Sequence, residues 1–200
     1  KGLSPDSILA VTFTNKAAQE MKNRVQQMLP DQPIHSLGIG TFHSIAARIL
    51  RFEAHLLGYD RNFSIYDTDD TKKLIKEIVK ELNLNKSIYN PRTILSFISR
   101  SKNNFLMPDD IRSTTNNPLE IKMADIYQIY QEKLKQNNAM DFDELLLQPL
   151  KLFCDYPDRL EYYQQRFQYL LVDEYQDTNK PQFEFIRFLA GDHQMITVVG

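Results

Sequence analysis

Two apolar runs near opposite ends of the chain limit what it can fold into. Ile8-Leu9-Ala10-Val11-Thr12-Phe13 is almost continuously apolar, and so is Tyr169-Leu170-Leu171-Val172. Both are of strand length and read as parallel strands buried on both faces. Parallel strands need crossover connections, usually helices, and the flanking sequence supplies them. Thr14 or Asn15 caps a helix over about residues 15–29, with Ala17, Ala18, Met21, Val25 and Met28 at helical spacing and Pro30 and Asp31 at its end. A short strand near 37–41 leads into a second helix over about 42–56, with Ile45, Ile49, Leu50 and Leu56 on one side. After Val172 a helix at about 180–190 precedes a strand at 195–199. Alternating strand and helix predicts a parallel sheet with helices on both faces. Its expected core includes Leu9, Val11, Ile45, Ile49, Leu170, Val172, Ile186, Leu189 and Val198.

The middle of the chain reads differently. Thr68 to Leu84 is an amphipathic helix carrying Leu74, Ile75, Ile78, Val79 and Leu82. Pro91 fits the first turn of another, with Ile94, Leu95, Phe97 and Ile98, and Leu119 to Leu134 reads as a third. Loops over Asn83–Asn90 and Lys102–Asn117 separate them, and no strand pattern interrupts. The expected division is therefore residues 1–57 with 141–200 as the α/β part, and 58–140 as an inserted all-helical subdomain. Two further helical stretches, about 141–155 and 157–167, precede the Tyr169 strand.

The 200 residues are 42% hydrophobic and 25% charged, which excludes a disordered tail or a collagen-like fibre. No apolar run approaches the ~18 residues of a membrane span, so no membrane partner is expected. A single cysteine, Cys154, excludes a disulfide framework and reads as a small core residue in a reducing compartment. The first residues lack a signal peptide's apolar core, there is no starting Met, and Val198-Val199-Gly200 stops as if at the end of a buried strand. The chain thus reads as a piece of a longer protein. Net charge is −2, distributed as +2 over 1–57, +2 over 58–140 and −6 over 141–200. Either this is a solvated surface, or the basic front suits a polyanion and the acidic rear a metal.

Asp173 and Glu174 stand at the carboxyl end of a buried strand, where open parallel sheets bind ligands. A hard cation such as Mg²⁺ takes one or two carboxylates plus substrate phosphates, and a neighbouring carboxylate can activate water. Taken alone, Asp-Glu after a strand is also a turn or a helix cap. The longer strings carry more information. Leu170-Leu171-Val172-Asp173-Glu174-Tyr175-Gln176-Asp177-Thr178-Asn179 resembles the Walker B segment of the superfamily 1 DNA helicases of the UvrD/PcrA/Rep group. Val11-Thr12-Phe13-Thr14-Asn15-Lys16-Ala17-Ala18 is similar to that family's single-strand-contacting segment, and Gly40-Thr41-Phe42-His43-Ser44 to its next one. Met140-Asp141-Phe142-Asp143-Glu144-Leu145-Leu146 resembles a further one. The four strings stand in family order at family spacing across the whole chain, with the PcrA branch the best match.

The resemblance implies most of a first RecA-like domain with its helical insertion, from a protein that hydrolyses ATP with Mg²⁺ to move 3′ to 5′ along single-stranded DNA. Partners would be ATP, single-stranded DNA and a duplex junction, in repair or replication, in the bacterial cytosol and on the nucleoid. The alternative is a helicase–nuclease component or a non-motor DNA-binding protein on the same fold. The family's phosphate loop is missing: no G-x-x-x-x-G-K-[ST] occurs in these residues. This piece is therefore expected to be inactive as an ATPase and to hold no cofactor tightly.

Residue by residue, the resemblance gives Asp173 the Mg²⁺, through water, and Glu174 the attacking water. Gln176 and Asp177 couple the nucleotide and DNA sites or stabilise the loop. Phe13 is a base-contacting aromatic or a core residue. Thr12, Thr14 and Asn15 offer hydroxyl, amide and helix N-terminal groups to phosphates, unless Thr14 or Asn15 only caps the helix. Thr41, Phe42 and His43 belong to a string that touches DNA, although a lone His at a helix start is otherwise structural. Phe142 is a second candidate aromatic or a core residue. Arg92, Arg100 and Lys102 either meet duplex phosphates or are only solvated.

Overall fold

The computed structural model describes residues 4–30, 37–191 and 195–200. Contacts divide the chain into a unit of Lys1–Leu57 with Gln148–Gly200 and a unit of Gly58–Leu147.

The first unit is built on a four-stranded sheet of β1 (Ile8–Thr12), β2 (Gly38–Thr41), β5 (Tyr169–Val172) and β6 (Met195–Val198), in the order β2-β1-β5-β6. All pairings are parallel, with Thr12 opposite Thr41, Val11 opposite Val172 and Val172 opposite Val198. Between the strands run α1 (Asn15–Met28), α2 (Phe42–Glu53), the end of α7 (Phe142–Asp155), α8 (Pro157–Arg166) and α9 (Lys180–Ala190). Thr14 caps α1 by accepting the Ala17 N–H at 3.0 Å, and Thr41 caps α2 by accepting the Ser44 N–H at 3.2 Å. Asn179 and Gln182 form a reciprocal capping box at the start of α9. Leu9, Val11, Ile45, Ile49, Leu170, Val172, Ile186 and Leu189 are buried as expected.

Val198 is not. It is 48% exposed, because among the described residues β6 is the edge strand, paired on one side with β5. Cys154 is also exposed rather than in the core: Leu152 and Phe153 take the inward positions of α7, and the helical period turns the next residue out. Asp31, the expected helix stop, lies outside the described residues; α1 closes at Met28, before it.

The second unit packs α3 (Thr68–Glu81), α4 (Pro91–Asn103), α5 (Pro108–Thr114) and α6 (Pro118–Gln136). Leu74, Ile75, Ile78 and Val79 of α3 meet Ile94 and Ile98 of α4 and Met123, Ala124, Tyr127, Tyr130 and Leu134 of α6 in one core. Asp67, Asn90 and Asn117 cap α3, α4 and α6, the last two followed by proline at the first helical position.

Three features of this unit depart from the sequence expectation. The loop assigned to Lys102–Asn117 contains α5, whose signals are Pro108 at its start and Asp110, which accepts the Met107 N–H at 2.8 Å. The unit is not all-helical, since β3 (Ser64–Ile65) and β4 (Ala139–Met140) form a parallel two-residue ladder, too short to show a period. The later border falls at 147/148 rather than 140/141, because the first turn of α7 bonds to Lys102 and Asn103 of α4. The same bonds remove Lys102 as a phosphate contact: its side chain has no exposed surface.

Candidate nucleotide and nucleic-acid site

Because the four strands are parallel, their carboxyl ends share one edge, the usual ligand side of an open α/β sheet. Strand order sets the sequence of residues along it. The end of β2 brings Thr41, Phe42 and His43; the end of β1 brings Phe13, Thr14 and Asn15; the end of β5 brings Asp173 and Glu174.

The carboxylate turn is held by its backbone. Asp173 N–H donates to the Val11 carbonyl at 3.0 Å, continuing the β1–β5 ladder by one residue. Val199 N–H donates to Val172 and Tyr175 N–H to Val199, both at 2.9 Å, which ties the turn to β6. Glu174 has φ 51° and ψ 43°, the left-handed region that a residue with a Cβ enters only at a cost. Such backbone strain clusters at functional sites. A short 3-10 turn, Tyr175–Asp177, follows, closed by Asp177 N–H on the Glu174 carbonyl at 3.0 Å. The Gln176 amide donates to Glu174 Oε2 at 2.6 Å. Asp173 is half-buried, whereas Glu174 and Gln176 are exposed. Thus a half-buried carboxylate and an exposed one stand side by side, the second oriented by an amide. Among the described residues no three His, Cys, Asp or Glu side chains gather as a metal cage. The donors here are carboxylate oxygens, which suit a hard cation completed by nucleotide phosphates.

On the β1–β2 side the structure sorts the candidates. Thr12 is buried and its hydroxyl donates to the Thr14 carbonyl at 3.1 Å, so it shapes the turn and does not reach a ligand. Phe42 is 1% exposed and sits edge-to-face with Phe13, ring centres 5.3 Å apart. It therefore supports Phe13, which is half-buried, and is not itself a contact. Thr14 and Asn15 are exposed; the Thr14 oxygen accepts the capping N–H and keeps its own O–H for an outside acceptor. Thr41, also a cap, is nearly buried, and His43 is half-buried. Phe142 lies in the other unit and is 52% exposed, which removes the core alternative.

Sequence reading missed a basic groove beside this edge. Between α1 and α2 lies a cavity of about 450 Å³ lined by Asn15, Gln19, Lys22, Ser44, Arg48 and Arg51, with no carboxylate in its lining. Gly40 also lines it, and a Cβ there would stand 2.6 Å from Ser44 Oγ. The available signal was the spacing of Ser44, Arg48 and Arg51 at i, i+4 and i+7 on one helical face.

All 200 residues match the UvrD/REP helicase N-terminal domain. The chain is 42% identical over 196 residues to an ATP-dependent DNA helicase PcrA of Leuconostoc citreum, covering 98% of this chain and 26% of that one. It is 43% identical over 200 residues to the protein of that name from Staphylococcus aureus, covering 100% of this chain and 27% of that one. The chain spans about a quarter of the length of the curated relatives it matches. With its parallel sheet, its strand-end carboxylates and this match from first residue to last, the chain belongs to the UvrD/REP helicase family.

Proposed function

We propose that this chain is part of the first RecA-like domain of an ATP-dependent helicase that moves 3′ to 5′ along single-stranded DNA. Residues 58–140 make up its inserted subdomain, with the first turn of α7 joined to it. The observation that carries this reading is the strand order, which sets the candidate DNA residues of β1 directly beside the carboxylates of β5, with those of β2 one strand further along the same edge. A change at one can reach the other through a single ladder, in which Asp173 N–H bonds to the residue two before Phe13.

Asp173 would hold Mg²⁺ through water, and the ion would offset the charge developing on the transferred phosphoryl group. Glu174 orients and deprotonates the attacking water. Gln176 holds the Glu174 carboxylate and senses its occupancy. Phe13, backed by Phe42, stacks on a base, while Thr14, Asn15 and the groove of Lys22 and Arg48 take phosphates. No phosphate loop occurs in these 200 residues, so hydrolysis is assigned to the longer protein and not to this piece. Its setting is the bacterial cytosol, on DNA under repair or replication.

The test is DNA-stimulated hydrolysis and strand separation by the longer protein, on duplexes with a 3′ or a 5′ single-stranded tail. Unwinding from the 3′ tail alone is expected. Absence of DNA stimulation, or unwinding from the 5′ tail alone, would sink the reading.

A further inference from the structure

The string Asp141-Phe142-Asp143-Glu144 opens α7, and all three of its carboxylates are engaged within the helical unit. Asp141 Oδ1 accepts the Glu144 N–H at 2.8 Å and so caps the helix. Its Oδ2 accepts both the Lys102 ammonium and the Tyr130 hydroxyl, each at 2.8 Å. Glu144 Oε1 lies 3.1 Å from the same ammonium. Asp143 accepts the side-chain amide of Asn103 at 3.0 Å. Lys102 and Asn103, consecutive at the end of α4, therefore grip the first turn of α7 by every acidic group it has.

Phe142 is the residue of the string turned outward. Asp141 and Glu144, three apart, share the inner face of the turn, and Phe142 at its first helical position does not. Burial alone would push the Lys102 ammonium down, but Glu144 and Asp141 outweigh it and hold it well above its ordinary value. Burial would raise Asp141, yet Lys102 holds it below the usual carboxylate range. The other titratable groups facing this cluster are Tyr59, Tyr127, Tyr130 and Asp143. Replacing a buried ion cluster by apolar packing of equal volume is often neutral or stabilising, whereas removing one partner leaves an uncompensated buried charge.

We propose that Lys102 is the positioning residue for Phe142: by balancing Asp141 and Glu144 on the inner face, it holds the first turn of α7 with the Phe142 ring outward. Its value to the protein rests on the reading of Phe142 as a base contact.

These 200 residues contain no tryptophan, so Phe142→Trp in this chain, with folding verified first by helical circular dichroism and cooperative urea unfolding, supplies a single fluorescent reporter. With Lys102 intact, acrylamide quenching of the introduced indole should be linear and strong, as for one exposed environment. Lys102→Met should shift the emission maximum and bend the quenching plot. Lys102→Met/Glu144→Gln keeps the net charge of the trio at −1 and should restore both. In the longer protein, anisotropy with labelled poly-dT should show Lys102→Met and Phe142→Ala each weakening binding about fivefold, the low end for one lost base stack. Their combination should be no worse than Phe142→Ala alone. Unchanged quenching in Lys102→Met would overturn the proposal, as would additive losses of affinity. If Lys102→Met does not fold, the double variant decides: a folded double variant with a bent plot overturns it, and a linear one supports it. If Phe142→Ala leaves affinity intact while Lys102→Met still bends the plot, the positioning stands and the base-contact reading of Phe142 falls.

Discussion

The two units place their candidate functional residues by opposite means. In the sheet unit the backbone does it: Phe13, Thr14, Asp173 and Glu174 stand where they do because parallel strands end at one edge. Their side chains are exposed or half-buried, with few bonds holding them. In the helical unit side chains do it: Phe142 is aimed by a buried trio of charges on either side of it in sequence. Function should therefore be separable from stability in the first unit and coupled to it in the second.

Glu174→Gln tests the separable side and has the largest expected effect. In the longer protein, hydrolysis should fall by about 10²–10⁴-fold, the usual contribution of a general base. Nucleotide affinity and Tm should hardly change, since the side chain is exposed and Asp173 remains. Phosphate release measured beside nucleotide binding checks this. Hydrolysis at the parent rate would reduce Glu174 to a turn residue.

Lys102→Met tests the coupled side. It leaves two buried carboxylates without a counter-charge, and should cost about 3–5 kcal/mol in urea unfolding followed by helical circular dichroism. The pH dependence should reverse as well. In the parent, Asp141 titrates below its ordinary value of 3.8, so its stabilisation is present above that pH and is lost as pH falls below it. In the variant, like charge raises one carboxylate above its ordinary value, so stability is lost as pH rises through that raised value. Lys102→Met should thus be more stable at pH 5 than at pH 7. A variant as mild as Glu174→Gln would erase the contrast between the units.

The aromatic pair sharpens the contrast on DNA. Phe13 rests edge-to-face on buried Phe42, so its ring is fixed before a base arrives. Phe13→Ala should weaken poly-dT binding toward the upper part of the ~1–3 kcal/mol range for one stacked base, and Phe142→Ala toward the lower part. Both losses should ride on a steep salt dependence from phosphate contacts, with little base preference. Anisotropy at two salt concentrations measures all three, and a larger loss in Phe142→Ala would invert the ranking.

What can be read from sequence divides along the same line. Strand runs such as Tyr169-Leu170-Leu171-Val172 and helix-start signals such as the Thr14 cap and first-turn Pro91 are local patterns, so the sheet, its helices and the strand-end carboxylates are legible. Long-range pairings are not. Nothing around Lys102 in sequence shows that its partners lie 39 and 42 positions away, and by residue type alone it stands among the candidate phosphate contacts. The β3–β4 ladder pairs residues 75 apart over two positions, with no room for periodicity. Exposure also escapes a reading of sequence. Phe42 and Phe13 are alike in the strings that carry them, and only packing separates the support from the contact.

The smallest effect asks whether stored backbone strain separates the units too. Glu174 and Phe105 both adopt left-handed backbone, at φ 51° and 58°. Phe105 closes α4 in a Schellman pattern, its N–H on Lys102 O at 3.0 Å and the Leu106 N–H on Ser101 O at 2.9 Å, a position glycine usually fills. Its ring is 43% exposed, so part of its packing is lost on removing it. Phe105→Gly should raise stability by at most about 0.5–1 kcal/mol, the left-handed penalty less the extra chain entropy of glycine and the packing lost with the ring. Glu174→Gly should gain a similar amount in the sheet unit while hydrolysis is lost with the carboxylate. The strain at Phe105 is then a cost of ending a helix, and that at Glu174 a cost of aiming a carboxylate. Urea midpoints and hydrolysis rates of the two variants decide between these origins. If Phe105→Gly also lowered hydrolysis or DNA affinity, the helical unit too would hold strain for function, and the division between backbone-placed and network-placed residues would fail at α4, the helix that carries Lys102.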